Sequence, residues 1–353
     1  MSEKVLMKGN EAVAEAAIAA GCRHFFGYPI TPQTEVAAHM SKRMPKVGGV
    51  YLQAESEVAA INMVLGASAA GVRSMTSSSS PGISLKAEGL SYLAGSDLPA
   101  VIVNVQRAGP GLGGIQPSQA DYWQATRASG HGDFKIMVFA PSTVQEMVDL
   151  TGTAFDLGDK YRMPVLILSD GLLGQMMEPV VMSTREAKAP EKPWAACGHE
   201  GKRKHNIVNS LYIDPLNMEE VLRERYERYE TIKREEQRCE EYLTDDADIV
   251  IVAYGASARI ARSAVDAARK ENIKAGLIRP ITLWPFPDKA IISRIPSTKV
   301  FLCVEMSKGQ MVDDVKLVVS GKRDVRFYGR TGGVVPTPAE VLAEIRKIRE
   351  GSQ

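Results

Sequence analysis

Cysteine is scarce and scattered in this 353-residue chain, and its four residues, Cys22, Cys197, Cys239 and Cys303, form no C-x-x-C pair. That spacing excludes a disulfide framework and an iron–sulfur cluster held by this chain alone. Cys197 lies near His199 and His205, but no zinc-ligand spacing connects them, so a polar loop with a stray thiol is the simpler reading. No metal site is expected in the chain. An excess of charge is lacking too: 43 basic and 42 acidic residues leave a formal net charge of +1, without the basic surplus of a nucleic-acid binder. No apolar run approaches the roughly 18 residues of a membrane span, and Met1-Ser2-Glu3-Lys4 opens no signal peptide. A cytoplasmic protein with neither nucleic acid nor membrane as partner is expected. P-loop, zinc-protease motif, Ser nucleophile elbow, internal repeats and low-complexity tracts are all absent.

What is present is an ordinary globular composition, 44% hydrophobic and 24% charged, long enough for two domains. Short apolar runs at 24–28, 49–53, 73–75, 101–105, 135–139 and 165–168 read as strands with helical patterns between them. This alternation predicts an α/β fold with a mainly parallel sheet covered on both faces. Asn10 is a good N-cap for an Ala-rich helix. A later helix is expected to begin with Ser142 as cap and Gln145 reaching back. Between Glu178 and Asp248 the pattern breaks, with Pro179, Pro190, Pro193 and Pro215 marking irregular chain, and 218–242 reads as one long charged helix. A second α/β unit follows, closing with Thr337-Pro338-Ala339-Glu340 as a capped helix start. The expected organisation is a first domain over 1–180, a linker with its helix over 181–245, and a second domain over 246–353.

One motif misleads. Gly109-Pro110-Gly111-Leu112-Gly113-Gly114 satisfies G-x-G-x-x-G after a strand. A dinucleotide fingerprint also needs a helix opening at the loop and an acid after the next strand. Here Gln116-Pro117-Ser118 intervenes.

The polar residues at the carboxyl ends of the parallel strands are more informative, because open α/β sheets bind ligands there. Tyr28-Pro29-Ile30-Thr31-Pro32 presents one hydroxyl on a turn stiffened by two prolines. Gln53-Ala54-Glu55-Ser56-Glu57 opens an apolar helix that Ser56 can cap, with Glu57 favoured in the first turn by the helix dipole. Thr76-Ser77-Ser78-Ser79-Ser80-Pro81-Gly82 gathers five hydroxyls at a helix start, either as a pocket wall or as a capped turn. In Gln106-Arg107-Ala108-Gly109 the arginine can bind a carboxylate bidentately, and it can equally serve a structural ion pair.

Taken together, Tyr28 to Pro32, Ala54 to Val58, Thr76 to Gly82, and Gln106 to Gly113 resemble the α subunit of thiamine-diphosphate-dependent 2-oxoacid:ferredoxin oxidoreductases. The likeness is greatest to the 2-oxoisovalerate (branched-chain) type, then to the 2-oxoglutarate type. It runs on through Gly255 and Glu305 to Gln310. The resemblance implies a thiamine-diphosphate-binding pyrimidine-domain fold followed by a transketolase C-terminal-like α/β domain. It implies that Glu57 contacts N1′ of the cofactor's aminopyrimidine, where proton exchange with a carboxyl group activates the ring. Thr31 and Arg107 match positions that hold the substrate's carboxylate and carbonyl oxygen, and Tyr28 and Ile30 line the same pocket.

The Mg²⁺-binding Gly-Asp-Gly and later Asn of this enzyme class are missing: Ser169-Asp170-Gly171 lacks the first glycine, and Asn206 and Asn209 fall outside the α/β pattern. The chain is therefore expected to supply half of a thiamine diphosphate site. A β subunit then gives the Mg²⁺–diphosphate half, and a γ subunit and a ferredoxin-like iron–sulfur subunit complete the complex. The reaction implied is 2-oxoacid, coenzyme A and oxidised ferredoxin giving acyl-CoA, CO₂ and reduced ferredoxin. A 2-oxoglutarate enzyme would need a further cation for the distal carboxylate, and Lys86 and Arg127 are the sequence candidates. A non-catalytic scaffold subunit would be expected to have lost the acid or the arginine, yet Glu57, Thr31 and Arg107 are all present.

Overall fold

The computed structural model describes residues 4–127, 129–182 and 189–351; the opening Met1 to Glu3, read above for a leader, lies outside them. The first part of the chain alternates strand and helix: β1 (Lys4–Lys8), α1 (Gly9–Ala19), β2 (His24–Gly27), α2 (Thr34–Arg43), β3 (Val50–Gln53), α3 (Glu57–Ala69), β4 (Ser74–Ser78), α4 (Ser80–Gly95), β5 (Ala100–Gln106), α5 (Tyr122–Thr126), β6 (Met137–Phe139), α6 (Val144–Tyr161), β7 (Pro164–Asp170), α7 (Gly171–Gln175) and β8 (Met177–Val181). Six of these strands pair in parallel in the order β6-β7-β5-β4-β2-β3. Strands β5 and β7 are buried at every residue, as a parallel sheet covered on both faces requires. β1 and β8 form a separate antiparallel ribbon.

The chain leaves β2 for β3 on one side, then crosses to β4 on the other and continues to β5. The connections therefore diverge between β2 and β4, and a crevice opens at their carboxyl ends. Tyr28 to Pro32 and Thr76 to Ser80 flank that point.

The remainder comprises α8 (Pro215–Glu235), β9 (Cys239–Tyr242), β10 (Ile249–Val252), α9 (Gly255–Lys270), β11 (Ala275–Pro280), β12 (Thr282–Trp284), α10 (Asp288–Arg294), β13 (Val300–Glu305), α11 (Met311–Val319), β14 (Asp324–Gly329) and α12 (Pro338–Glu350). Its sheet runs β14-β13-β10-β11-β9, parallel except for β9. Strand β12 instead leaves this unit and pairs antiparallel with β6 at the edge of the first sheet. No helix among the described residues is long and apolar enough to cross a membrane.

Several local expectations are corrected. The long helix ends at Glu235 rather than at Tyr242. Glu236 is held by the Tyr161 hydroxyl at 2.8 Å and Lys160 at 3.1 Å, and Cys239–Tyr242 then pairs with β11 as a strand. Glu240, read as part of the charged helix face, bonds Arg279 at 2.7 Å. The helix lies on its own chain: Arg225 and Arg228 both bond Asp97, and Tyr229 packs edge-on against Trp284.

The cap of α6 is displaced by one residue. Thr143 accepts from the Glu146 N–H, and Glu146 reaches back to the N–H and hydroxyl of Ser142. Gln145 is spent on Val181 of β8. Asn10 is inside α1, not its cap, and its amide donates to Pro32 O and Glu35, both at 2.8 Å. The hydroxyl run is not a loop: Thr76, Ser77 and Ser78 continue β4, Ser79 is the N-cap and Ser80 begins α4.

Candidate active site

The turn after β2 is fixed from three directions. Gln33, fully buried, donates from Nε2 to Tyr28 O at 3.1 Å and accepts from the Ser77 hydroxyl at 2.5 Å, tying the turn to β4. Asn10 holds Pro32 O, and Arg107 donates from Nη1 to Thr31 O at 3.1 Å. Thr31 itself is exposed, while Tyr28 and Ile30 are half-buried on the same turn. Thr31 and Arg107, paired by the sequence reading, do meet, but through the threonine's backbone carbonyl.

Ser56 caps α3 by accepting from the Ala59 N–H at 3.2 Å, which places Glu57 as the first helical residue. The Glu57 side chain is buried, with the residue only 5% exposed, in a helix turn whose dipole favours an anion. Opposite it runs α4. A Cβ on Gly82 would lie 2.1 Å from Ser78 Oγ and 2.5 Å from Glu57 Oε1, and one on Gly89 would lie 2.5 Å from the Ile61 side chain. Glycine at both positions lets α3 and α4 approach closely enough for Glu57 to face the start of α4.

Lys86 sits between those glycines on the same helix face and is fully buried. Its Nζ donates to Thr76 Oγ1 at 3.0 Å. Burial pushes its pKa down to about 8, with the charge of Glu57 opposing the fall. The oxygens Ser78 Oγ and Ser79 Oγ and the nitrogen Arg107 Nε are buried without a hydrogen-bond partner. Among the described residues no hydrogen bond reaches the Glu57 carboxylate. A buried acid and two spare hydroxyls are the kind of groups that a nitrogen-containing ring would engage.

Arg107 lies on the other side of the first turn of α4. Its Nη2 donates to Leu112 O at 3.0 Å, and its backbone N–H donates to Ser80 Oγ at 3.0 Å. The Ser80 hydroxyl donates to Asp121 at 2.5 Å, and Asn104 Nδ2 donates to the same oxygen at 3.0 Å. Burial raises the Asp121 pKa against these hydrogen bonds. Arg107, Ser80 and Asp121 open onto a cleft of about 880 Å³ between the two α/β units, with Met306, Gln310 and Thr331 on its far wall. Glu57 is not part of that wall. The structure thus sets Glu57 apart from the Arg107 cleft, where the sequence suggested one site.

Gln119, which the sequence reading missed, joins the second unit to the first. Gln119 donates from Nε2 to Tyr254 O at 2.8 Å, and its Oε1 accepts from Ser257 Oγ at 2.6 Å and Met306 N at 3.0 Å. Asp170, the last residue of β7, accepts from Leu172 and Leu173 N–H and so caps α7. Burial raises its pKa to about 6. Glu305 at the end of β13 accepts N–H bonds from Gln310, Met311 and Val312 at the start of α11. Lys86 carried a signal in the sequence: Gly82, Lys86 and Gly89 share one face of a helix by period alone.

Comparison with known proteins agrees with this layout. Residues 15–242 match the family model for pyruvate flavodoxin/ferredoxin oxidoreductase, thiamine-diphosphate-binding, and residues 247–341 match pyruvate:ferredoxin oxidoreductase core domain II. The chain is 52% identical to the ketoisovalerate oxidoreductase subunit VorB of Methanothermobacter marburgensis, across 97% of each chain. It is 38% identical to the 2-oxoglutarate synthase subunit KorA of the same organism, covering 99% of this chain and 100% of that one. Among solved structures, 2-oxoglutarate:ferredoxin oxidoreductase from Magnetococcus marinus, with 2-oxoglutarate, coenzyme A and succinyl-CoA bound, superposes with a TM-score of 0.86 at 28% identity. That match covers 98% of this chain and 65% of the longer one. The chain belongs to the pyruvate flavodoxin/ferredoxin oxidoreductase family, as an oxidoreductase subunit whose first part is of the thiamine-diphosphate-binding kind.

Proposed function

We propose that this chain is the α-type catalytic subunit of a coenzyme A-dependent 2-oxoisovalerate:ferredoxin oxidoreductase, contributing the pyrimidine half of a shared thiamine diphosphate site. The observation that carries the reading is Glu57: a buried carboxylate at a helix start, without a hydrogen bond among the described residues, packed against the Cα of Gly82 at the start of α4. Bound there, thiamine diphosphate would supply a carbon nucleophile for the 2-oxoacid. Glu57 would hold and return a proton at the ring nitrogen N1′. Tyr28 and Ile30 line the ring's pocket. Arg107, locked through Nη1 and Nη2 onto two backbone carbonyls, keeps Nε for the substrate's carboxylate, and the Thr31 hydroxyl serves the carbonyl oxygen.

The branched-chain substrate is favoured over 2-oxoglutarate on two grounds. Identity is 52% to the ketoisovalerate oxidoreductase subunit against 38% to the 2-oxoglutarate synthase subunit. The two cations that the sequence offered for a distal carboxylate are also both engaged: Lys86 is buried on Thr76, and Arg127 bonds Asp314 at 2.5 Å. We further propose a partner β subunit for Mg²⁺ and the diphosphate, a γ subunit, an iron–sulfur subunit, a cytoplasmic location, and a division of the chain at 1–180, 181–245 and 246–353. Asp170 supports a partner-held metal, because its carboxylate is committed to capping α7.

The test is acceptor reduction by the complex co-purified with this chain, given coenzyme A, thiamine diphosphate and Mg²⁺. Preference for 2-oxoisovalerate over 2-oxoglutarate is expected. Preference for 2-oxoglutarate would overturn the substrate, and inactivity with both acids and with pyruvate would overturn the catalytic role.

A further inference from the structure

A lysine ammonium with no solvent exposure needs a counter-charge, since an isolated buried ion is strongly disfavoured. Lys86 is such a group, and its one hydrogen bond goes to a neutral hydroxyl, Thr76 Oγ1. Glu57 is the one charge that acts on it among the described residues. Glu57 is in turn a buried carboxylate with no hydrogen bond of its own. The helix geometry explains the meeting. Gly82 lies against Glu57 and Gly89 against Ile61, so the α4 face carrying residues 82, 86 and 89 packs on the α3 face carrying 57 and 61. Lys86 is the one long side chain between the two glycines on that face, and it ends at β4, beside the crevice between β2 and β4.

We propose that Lys86 is a positioning residue for Glu57, the buried counter-charge that fixes the carboxylate in the ring-binding pocket. This rests on the reading that Glu57 meets the aminopyrimidine of thiamine diphosphate. The two residues are too far apart for a direct ion pair, since no contact within 4 Å joins them. Lys86 therefore acts through the low-dielectric interior and through Thr76, without touching the ring or substrate. Two consequences follow. Removing the ammonium leaves a buried acid without its opposing charge, so it no longer holds one orientation. Keeping a cation at this position preserves it.

The first test uses the cofactor-free complex and needs no turnover. Melting temperatures are measured at pH 7 for wild type, E57Q, K86M and E57Q/K86M. Methionine fills the lysine's volume without charge. Each single variant leaves one buried charge unopposed, whereas the double leaves none, so the double is expected to melt no lower than K86M. Additive losses would overturn the pairing. Should K86M fail to assemble, K86Q enters the same cycle. The second test is functional: K86M should weaken thiamine diphosphate binding by calorimetry and lower kcat at least tenfold, leaving the KM for the 2-oxoacid within about twofold, and K86R should recover most of the loss. A K86M complex with unchanged cofactor affinity and kcat would overturn the proposal. Failure of the functional reading looks different, for then the wild-type complex itself neither binds thiamine diphosphate nor turns over a 2-oxoacid, whatever the melting cycle gives.

Discussion

Arg107 donates from Nη1 to the backbone carbonyl of Thr31 at 3.1 Å, joining two strand-end turns that lie 76 residues apart in the chain. The contact gives the guanidinium a structural anchor and leaves another part of it for ligand. Replacing Arg107 by lysine keeps the charge but loses the planar fork that spans Thr31 O and Leu112 O. The expected result is a drop of about 10²-fold in kcat/KM for the 2-oxoacid, in line with losing a charge-assisted hydrogen bond worth roughly 1.5–3 kcal/mol. The fall should lie mostly in KM, measured by steady-state reduction of a viologen acceptor. An unchanged KM would leave Arg107 as a purely structural residue.

Glu57 makes a sharper case, because a glutamine in its place fills the same volume and cannot exchange a proton. E57Q should lower kcat by about 10²–10⁴-fold, the usual share of a positioned acid–base group. The complex should still assemble, as judged by size-exclusion chromatography. Activity within a few-fold of wild type would remove Glu57 from the mechanism.

How far these residues could be read from the sequence depends on how local their cause is. Ser56 as a cap and Glu57 in the first turn were legible because both follow from helix-start chemistry within four residues. Thr337 and Glu340 form the expected capping box for the same reason. The end of α8 was not legible: Cys239 and Tyr242 satisfy a helical and a strand pattern alike, and only pairing with β11, some 40 residues further on, decides between them. Strand β12 crosses to the first sheet with three residues, too short a segment to carry a period. The strand-end positions of these residues were legible, and the separation of Glu57 from the Arg107 cleft was not. That division is made by the first turn of α4 standing between them, a matter of packing.

Gly82 tests the packing around Glu57. An alanine Cβ there would sit 2.1 Å from Ser78 Oγ and 2.5 Å from Glu57 Oε1, so one or both must move. Overpacking of this kind costs about 1–3 kcal/mol. G82A should therefore lower the melting temperature by several degrees and weaken thiamine diphosphate binding at least tenfold in a calorimetric titration. Binding as tight as in wild type would show that the ring does not lie in this space.

Asp170 carries a pH signature. Burial raises its pKa from 3.8 to about 6, against the N–H bonds from Leu172 and Leu173. Between these two values the folded protein holds a proton that the unfolded chain has released, so stability falls as pH rises from about 4 to about 6. The full effect is on the order of 3 kcal/mol. Above pH 6 the folded carboxylate is ionised and the loss is complete. D170N, which keeps the capping oxygen and cannot ionise, should remove this fall and match or exceed wild-type stability at pH 7.5. Urea unfolding at pH 4.5 and 7.5 measures the difference, and a D170N protein that weakens between those values as the wild type does would assign the pH dependence to other groups.

Gln119 sets one buried side chain across the junction of the two α/β units, which the Tyr122–Asp314 and Arg279–Glu146 bonds also span. It bonds Tyr254 O, Ser257 Oγ and Met306 N, while its own N–H donates to Met306 O at 2.9 Å. The side chain is fully buried, so truncation leaves the Ser257 hydroxyl and the Met306 N–H without partners, while Tyr254 O keeps its bond from the Ala258 N–H. Each such orphan costs about 1–3 kcal/mol, less whatever an entering water recovers. Q119A should therefore destabilise the chain by about 2–4 kcal/mol. Because Gln119 lies on the same turn as Ser118 and Ala120, which line the Arg107 cleft, the loss should also raise the KM for any ligand of that cleft. Q119E isolates the cause: it keeps the acceptor for Ser257 and Met306 but puts a second oxygen against Tyr254 O, where the amide donated. It should be at least as destabilised as Q119A if the Tyr254 bond holds the junction, and clearly less so if the Ser257 and Met306 bonds do.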